Sequence, residues 1–194
     1  IDRGYSSPMF ITDHKKDECI FEDTYILVSD AEISNILQIE NVLKPIIAEN
    51  KKLLVIAPCS VNVVNTIAAN VMKRDMKICI ISPPSFGYRQ HELMQDIAIS
   101  VGATYYSEKT GDDLSLIEFS DLGFAAKVVV DSTSTIIVKE SMEISEEVAD
   151  RVAQLREQHT NTDRKSDKEF ILSRIASLTG GVGTIFVGGK TDLE

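Results

Sequence analysis

Residues able to do chemistry are present in this chain but scattered. Ser, His and Asp all occur, yet no G-x-S-x-G elbow presents a serine and no clustered pair of acids is set for hydrolysis. The adjacent carboxylates at 112–113 and 146–147 read as solvated charges at helix starts, where they favour the macrodipole. "SPPSFG" (82–87) and "TGGVG" (179–183) resemble phosphate-cradling loops in composition only. Neither follows a strand and opens a helix with G-x-G-x-x-G spacing, and the glycines at 180–189 follow a helical pattern, as a C-cap and turn would. Cys19, Cys59 and Cys79 form no CxxC pair, and their odd number fits a reducing, cytoplasmic setting better than a disulfide framework. His14, His91 and His159 are too dispersed to suggest a metal site. What remains is the chemistry of apolar contact. "YSSPMFI" (5–11) gathers Tyr5, Met9, Phe10 and Ile11 around Pro8, on a segment that should otherwise be polar and solvated.

The elements that would position such a cluster are legible. "TYILVSD" (24–30), "KLLVIAP" (52–58) and "MKICIISPP" (76–84) are near-continuous apolar runs, the mark of strands covered on both faces. "AKVVVD" (126–131) and "STIIVKE" (134–140) add two more strands. Helical segments over roughly 32–49, 61–74 and 89–101 alternate with the first three, which predicts an α/β domain with a partly parallel sheet. Ser29 and Glu32 have the spacing of a capping box for the first helix, with Ser34 as a later cap. Pro45 must kink or shorten that helix. Further on, Val148, Val152 and Leu155 form one apolar stripe, and Ile171, Ile175 and Leu178 form another behind a Ser166–Glu169 box. The polar link "HTNTDRK" predicts an antiparallel helical hairpin.

Two of these helices carry more apolar surface than one sheet can cover. Ile33, Ile36, Leu37, Ile39, Val42, Leu43, Ile46 and Ile47 span well over half of the first helical wheel. A helix lying on a sheet needs an apolar arc of only about 100° or slightly more. Val61, Val63, Val64, Ile67, Ala68, Ala69, Val71 and Met72 leave the second helix only a thin polar stripe of Asn62, Asn65 and Asn70. Either another element, such as the C-terminal hairpin, buries the excess, or the two helices present an apolar groove of the kind that marks a binding site.

Several strings resemble the apical domain of group I chaperonins, the GroEL type. "DRGYSSPMF" matches the family's D-R-G-Y-x-S-P-x-F, and "ISNI" matches the approach to its first groove helix. "SFGYRQHELMQDIA", "DLGFAAKVVV", "DRVAQLREQ" and "GGVGTIFVGGKTDLE" follow in the family's order, so the likeness runs nearly end to end. The resemblance implies a GroEL apical-domain-like α/β fold, a mixed sheet flanked by helices with a C-terminal helical hairpin. It implies an apical domain over 1–182 and the start of a returning intermediate-domain segment over 183–194. It also implies a groove that binds unfolded polypeptides and a co-chaperonin's mobile loop. By position, Tyr5, Ser7, Met9 and Phe10 come from the first segment, Glu40 and Leu43 from the first helix, and Val64, Ala68 and Ala69 from the second. The family carries an aromatic where Met9 stands, Leu where Glu40 stands, and larger aliphatics at Ala68 and Ala69.

The same resemblance makes Gly180 and Gly181 a hinge, because paired glycines tolerate large dihedral changes. It makes Arg3 and Asp192 a pair between neighbouring subunits of a ring. It places ATP and Mg binding in segments outside this stretch, so this chain is expected to need no cofactor and to catalyse nothing. The start without Met fits a piece of a longer, ring-forming, ATP-hydrolysing parent, the piece alone being monomeric. The formal charge of −10 disfavours nucleic acid and anionic membranes as partners, and no apolar run approaches the roughly 20 residues of a membrane span. A rival reading keeps the apolar groove but gives it to one specific folded partner or a neighbouring subunit.

Overall fold

Three short apolar runs form one half of a sheet because their side chains have no polar face to turn to water. The computed structural model describes residues 3–139, 144–179 and 184–188. In it β1 (Cys19–Ser29), β2 (Lys52–Ile56) and β3 (Lys77–Ile81) lie side by side and parallel, with Leu54 between Ile26 and Cys79. Ile26 to Val28, Leu53 to Ile56 and Ile78 to Ile81 are all buried. β5 (Gly123–Val130), β6 (Ser134–Val138) and β7 (Thr184–Gly188) extend the sheet antiparallel from the other side of β1, in the order β3-β2-β1-β5-β6-β7. The two-residue β4 (Tyr105–Tyr106) pairs parallel with Val28 and Ser29, where β1 runs past the end of its pairing with β5. The protein is therefore mixed α/β, with a mixed seven-stranded sheet flanked by helices.

Connection handedness distributes the helices. α1 (Glu40–Ala48) and α2 (Val61–Arg74) are crossovers between successive parallel strands running outward from β1, so right-handed connections set both on one face. α3 (Gly87–Val101) carries the chain back from β3 to β4 in the reverse direction, which sets it on the opposite face, against β1 and β5. α4 (Glu146–Thr160) and α5 (Lys165–Leu178) pack on each other and on α3. Their stripes meet as expected: Val148, Val152, Leu155, Ile171, Ile175 and Leu178 form a second, smaller apolar cluster that Ile99 of α3 joins. The hairpin therefore covers α3 and not the α1–α2 face. No described helix is long and apolar enough to cross a membrane.

Local details correct the sequence reading. The first helical segment splits into a 3₁₀ turn at Ile36–Ile39 and the nine-residue α1, with Pro45 inside it removing one backbone donor. The capping box is not Ser29–Glu32. Asn35 Oδ1 accepts from Leu37 N–H at 2.9 Å, and Gln38 Oε1 accepts from Asn35 N–H at 3.0 Å. Ser29 is buried and bonds instead to the backbone of Ala31. Ser166 does not cap α5, which starts one residue earlier behind Arg164. β1 begins at Cys19, five residues before the apolar run, because its first half is held by β5 alone and tolerates Glu22 and Asp23.

Candidate functional site

The first described residues are laid on the sheet rather than hung from it. Gly4 sits against the turn at Asp131–Ser132 so closely that any Cβ would overlap its backbone. Tyr5 N–H then donates to Asp131 O at 3.1 Å, and Ser6 N–H donates to Ile80 O at 2.8 Å, at the outer edge of β3. Asp131 is itself fixed. Burial would push its carboxyl up, but the N–H groups of Thr133 and Ser134 and their hydroxyls outweigh that and lower it. Ser7 caps a 3₁₀ turn at Pro8–Phe10, its hydroxyl accepting from Met9 N–H at 3.2 Å, with Pro8 pre-set in the first position. The turn aims successive side chains in opposite senses. Phe10 is 1% exposed and packs among the core, while Met9 is 49% exposed.

The expected site residues divide accordingly. Phe10, Leu43 and Ala68, expected at the binding surface, are instead buried in the main core. Tyr5, Ser7 and Val64 are half-buried. Met9, Glu40 and Ala69 are exposed. Glu40 is paired with Lys44 at 3.8 Å along α1. Arg3 Nε donates to Pro83 O at 3.0 Å. Gly180, Gly181 and Asp192, expected as hinge and as Arg3's intersubunit partner, lie outside the described residues.

Other residues of the same elements do reach solvent. Leu37, Ile47, Val61 and Met72 range from 48% exposed at Ile47 to 74% at Val61. With Met9 they make five of the ten large apolar side chains that are exposed among the described residues. Leu116 is a sixth, on a 3₁₀ turn at Leu114–Leu116 that packs against the Ile36–Ile39 turn. A signal for them was available. Leu37 and Ile47 share a helical face with Glu40 and Lys44, and Val61 and Met72 share one with Asn65, so apolar side chains stand on the polar stripes.

Where the first segment meets α2, two of them, Met9 and Met72, border a cleft of about 470 Å³. Met9, Phe10, Ile11, Val71, Met72 and Met76 contribute apolar wall. Lys52 and Lys77 also line it, but both ammonium groups are engaged. Lys52 Nζ donates to Glu22 O at 2.8 Å, and Lys77 Nζ pairs with Asp75 at 3.4 Å. The cleft can therefore hold apolar groups without first breaking open a free charge.

The opposite face is built from charge. Asp96 of α3, itself buried, accepts from Arg151 Nε at 2.8 Å and from Arg174 Nε at 2.6 Å, so one carboxylate ties both hairpin helices to α3. Glu92 Oε2 takes Arg151 NH2 at 2.7 Å. Burial opposes the charge on Arg151, but its bonds to Asp96 and Glu92 outweigh that and raise its pKa. A second cluster joins α3 to β4. Tyr105 Oη donates to Asp30 Oδ2 at 2.7 Å, and Ser107 Oγ donates to the same oxygen at 2.9 Å. Burial pushes the Asp30 carboxyl up, but the donors Tyr105, the Glu108 N–H, Ser107 and His91 prevail and lower it. Burial and the bond to Asp30 push the Tyr105 phenol well up. His91 Nδ1 stands 3.0 Å from Tyr105 Oη and joins the same cluster. Among the described residues no group of three or more His, Cys, Asp or Glu side chains is placed to hold a metal ion. Comparison of the chain with models of known protein families finds no match.

Proposed function

We propose that this chain is the polypeptide-capturing apical domain of a GroEL-type chaperonin, and that it binds non-native proteins along the face of α1, α2 and the Pro8–Phe10 turn. One observation carries the reading: Met9, Leu37, Ile47, Val61 and Met72 stand exposed on the first segment and on the β1–β2 and β2–β3 crossovers, while the sheet beneath is sealed. Exposing large apolar side chains has no value for stability, and a concentration of them is the usual mark of a binding surface. The binding surface differs from the one first mapped by resemblance. Met9 stays in it, Phe10, Leu43 and Ala68 hold it from below, and Leu37, Ile47, Val61 and Met72 do the touching. Each large side chain covered by a client contributes about 1.5–3 kcal/mol before ordering costs, so several weak contacts suffice for reversible capture. In a ring-forming parent, ATP and Mg bound elsewhere would swing the domain about Gly180–Gly181, and a co-chaperonin loop would compete for the same face.

Glu40 favours a narrower reading. Its ion pair with Lys44 puts charge on the stripe between Leu37 and Ile47, as a surface selective for one folded partner or a neighbouring subunit would. Titration with several unrelated proteins, each denatured and native, separates the two. Suppressed aggregation of the denatured forms only supports capture. Binding to a single native protein supports selective docking, and indifference to all of them removes the proposal.

A further inference from the structure

Five methionines occur in the chain, and three of them, Met9, Met72 and Met76, line the cleft between the first segment and α2. Met9 and Met72 are exposed and Met76 is half-buried. Met94 is fully buried in the main core, and Met142 lies outside the described residues. The other sulfurs compete poorly for an oxidant. Cys19 and Cys79 are buried, and burial pushes the Cys79 thiol well up. Burial, then the nearby Glu32 carboxylate, pushes Cys59 up to about 12, so it holds its proton at neutral pH and is a weak nucleophile. A thioether has no proton to lose, so its reactivity follows access alone.

We propose that Met9, Met72 and Met76 form an oxidation site that switches the cleft from apolar to polar, a regulation that rests on the capture reading above. The reaction is self-contained. The thioether sulfur of each residue attacks one oxygen of hydrogen peroxide, the O–O bond breaks, a sulfoxide forms as sulfur loses two electrons, and the second oxygen leaves as water. The product replaces a soft, adaptable apolar group with a strong hydrogen-bond acceptor. Met9 and Met72 are exposed, so water reaches the new oxygen and hydrogen-bonds it, beside Lys52 and Lys77 whose ammonium groups already hold Glu22 O and Asp75. An apolar client must then strip that water without replacing it. Thiol-dependent reduction by methionine sulfoxide reductase, which forms a disulfide and water, restores the thioether.

Limited treatment of the full chain with hydrogen peroxide, followed by peptide mapping, tests the site. Met9 and Met72 should be converted first, Met76 next and Met94 last. Conversion of Met94 together with them would overturn the site. Binding of an environment-sensitive apolar dye and suppression of client aggregation are then read on the same samples. Both should weaken roughly tenfold, the order expected when a polar group is desolvated without a partner, and the reductase should return both. The M9L/M72L/M76L variant should show the same dye binding before and after peroxide, whatever its starting level. If the untreated chain captures denatured protein and the sulfoxide form does so equally well, the switch is wrong and the capture reading stands. If the untreated chain captures nothing, the capture reading falls. Dye binding then decides the switch by itself, lost on oxidation if it is right and unchanged if it is wrong.

Discussion

The two faces of the sheet solve opposite problems with similar helices. On one, α3, α4 and α5 close over Arg151, Arg174 and Asp96, with Glu92 partly open to water at the rim. On the other, the Ile36–Ile39 turn, α1 and α2 leave Leu37, Ile47, Val61 and Met72 open to water, although the core beneath them is full. The first face spends polar groups on holding elements together. The second withholds apolar groups that would have added to stability. Large apolar side chains are exposed on the α3 and α5 side as well, at Phe86, Tyr88 and Leu172, so the proposed binding surface rests on the cleft between the first segment and α2 and on the side chains of the two crossovers that leave the core sealed.

The largest effect should come from breaking the platform. Asp96→Ala leaves Arg151 and Arg174 buried without their shared acceptor and should cost about 3–5 kcal/mol, read by urea unfolding. A smaller loss would mean that water enters that interface and that the two faces differ less than they appear in section. Phe10→Ala should cost a similar or slightly smaller amount, about 3–4 kcal/mol, because it empties a filled core site below the working surface.

Asp30→Ala comes next, at about 1.5–3 kcal/mol, the scale of bonds to a charged acceptor. Because the Asp30 carboxyl is held below its ordinary value, its contribution is present above the unfolded value near pH 4. It fades as pH falls through the lower folded value. The gap between wild type and variant in urea unfolding should therefore be full at about pH 7 and close toward about pH 2. A gap that grows on acidification would reverse the assignment of donors around Asp30.

The smallest effect on stability should come from the working surface. Leu37→Glu, Val61→Glu and Met72→Glu should each leave unfolding within about 0.5 kcal/mol of wild type. The same changes should lower suppression of client aggregation, more strongly when combined. If they destabilise the protein instead, the two faces are not different in kind.

Much of the platform was readable in the sequence, and the reasons are local. β2 and β3 announce themselves as unbroken apolar runs, and α2, α4 and α5 by their stripes. β4 and the short turns between residues 108 and 121 gave no periodic signal, since two- and three-residue elements are too short to have a period. The charge network was half visible. Val148, Arg151, Val152 and Leu155 repeat the spacing of Ile171, Arg174, Ile175 and Leu178, so each hairpin stripe carries an arginine where a core residue belongs. Its carboxylate partners lie 55 and 78 residues away in sequence, a pairing no local pattern contains. Of the residues expected at the binding surface, Met9, Glu40 and Ala69 are exposed, Tyr5, Ser7 and Val64 are half-buried, and Phe10, Leu43 and Ala68 are buried. A helical wheel measures how much apolar arc exists, and only the sheet decides which part of it is left over.

The way the chain begins its course along β3 has a consequence for release. Tyr5 bridges to Ile81, and the Ser6 amide already satisfies Ile80, so this stretch of the outermost strand has its main-chain partner. Under the capture proposal, a client in search of a backbone to zip onto would find that berth taken and grip there by its side chains. Adhesion of that kind would let go quickly, whereas an added strand would seed further pairing.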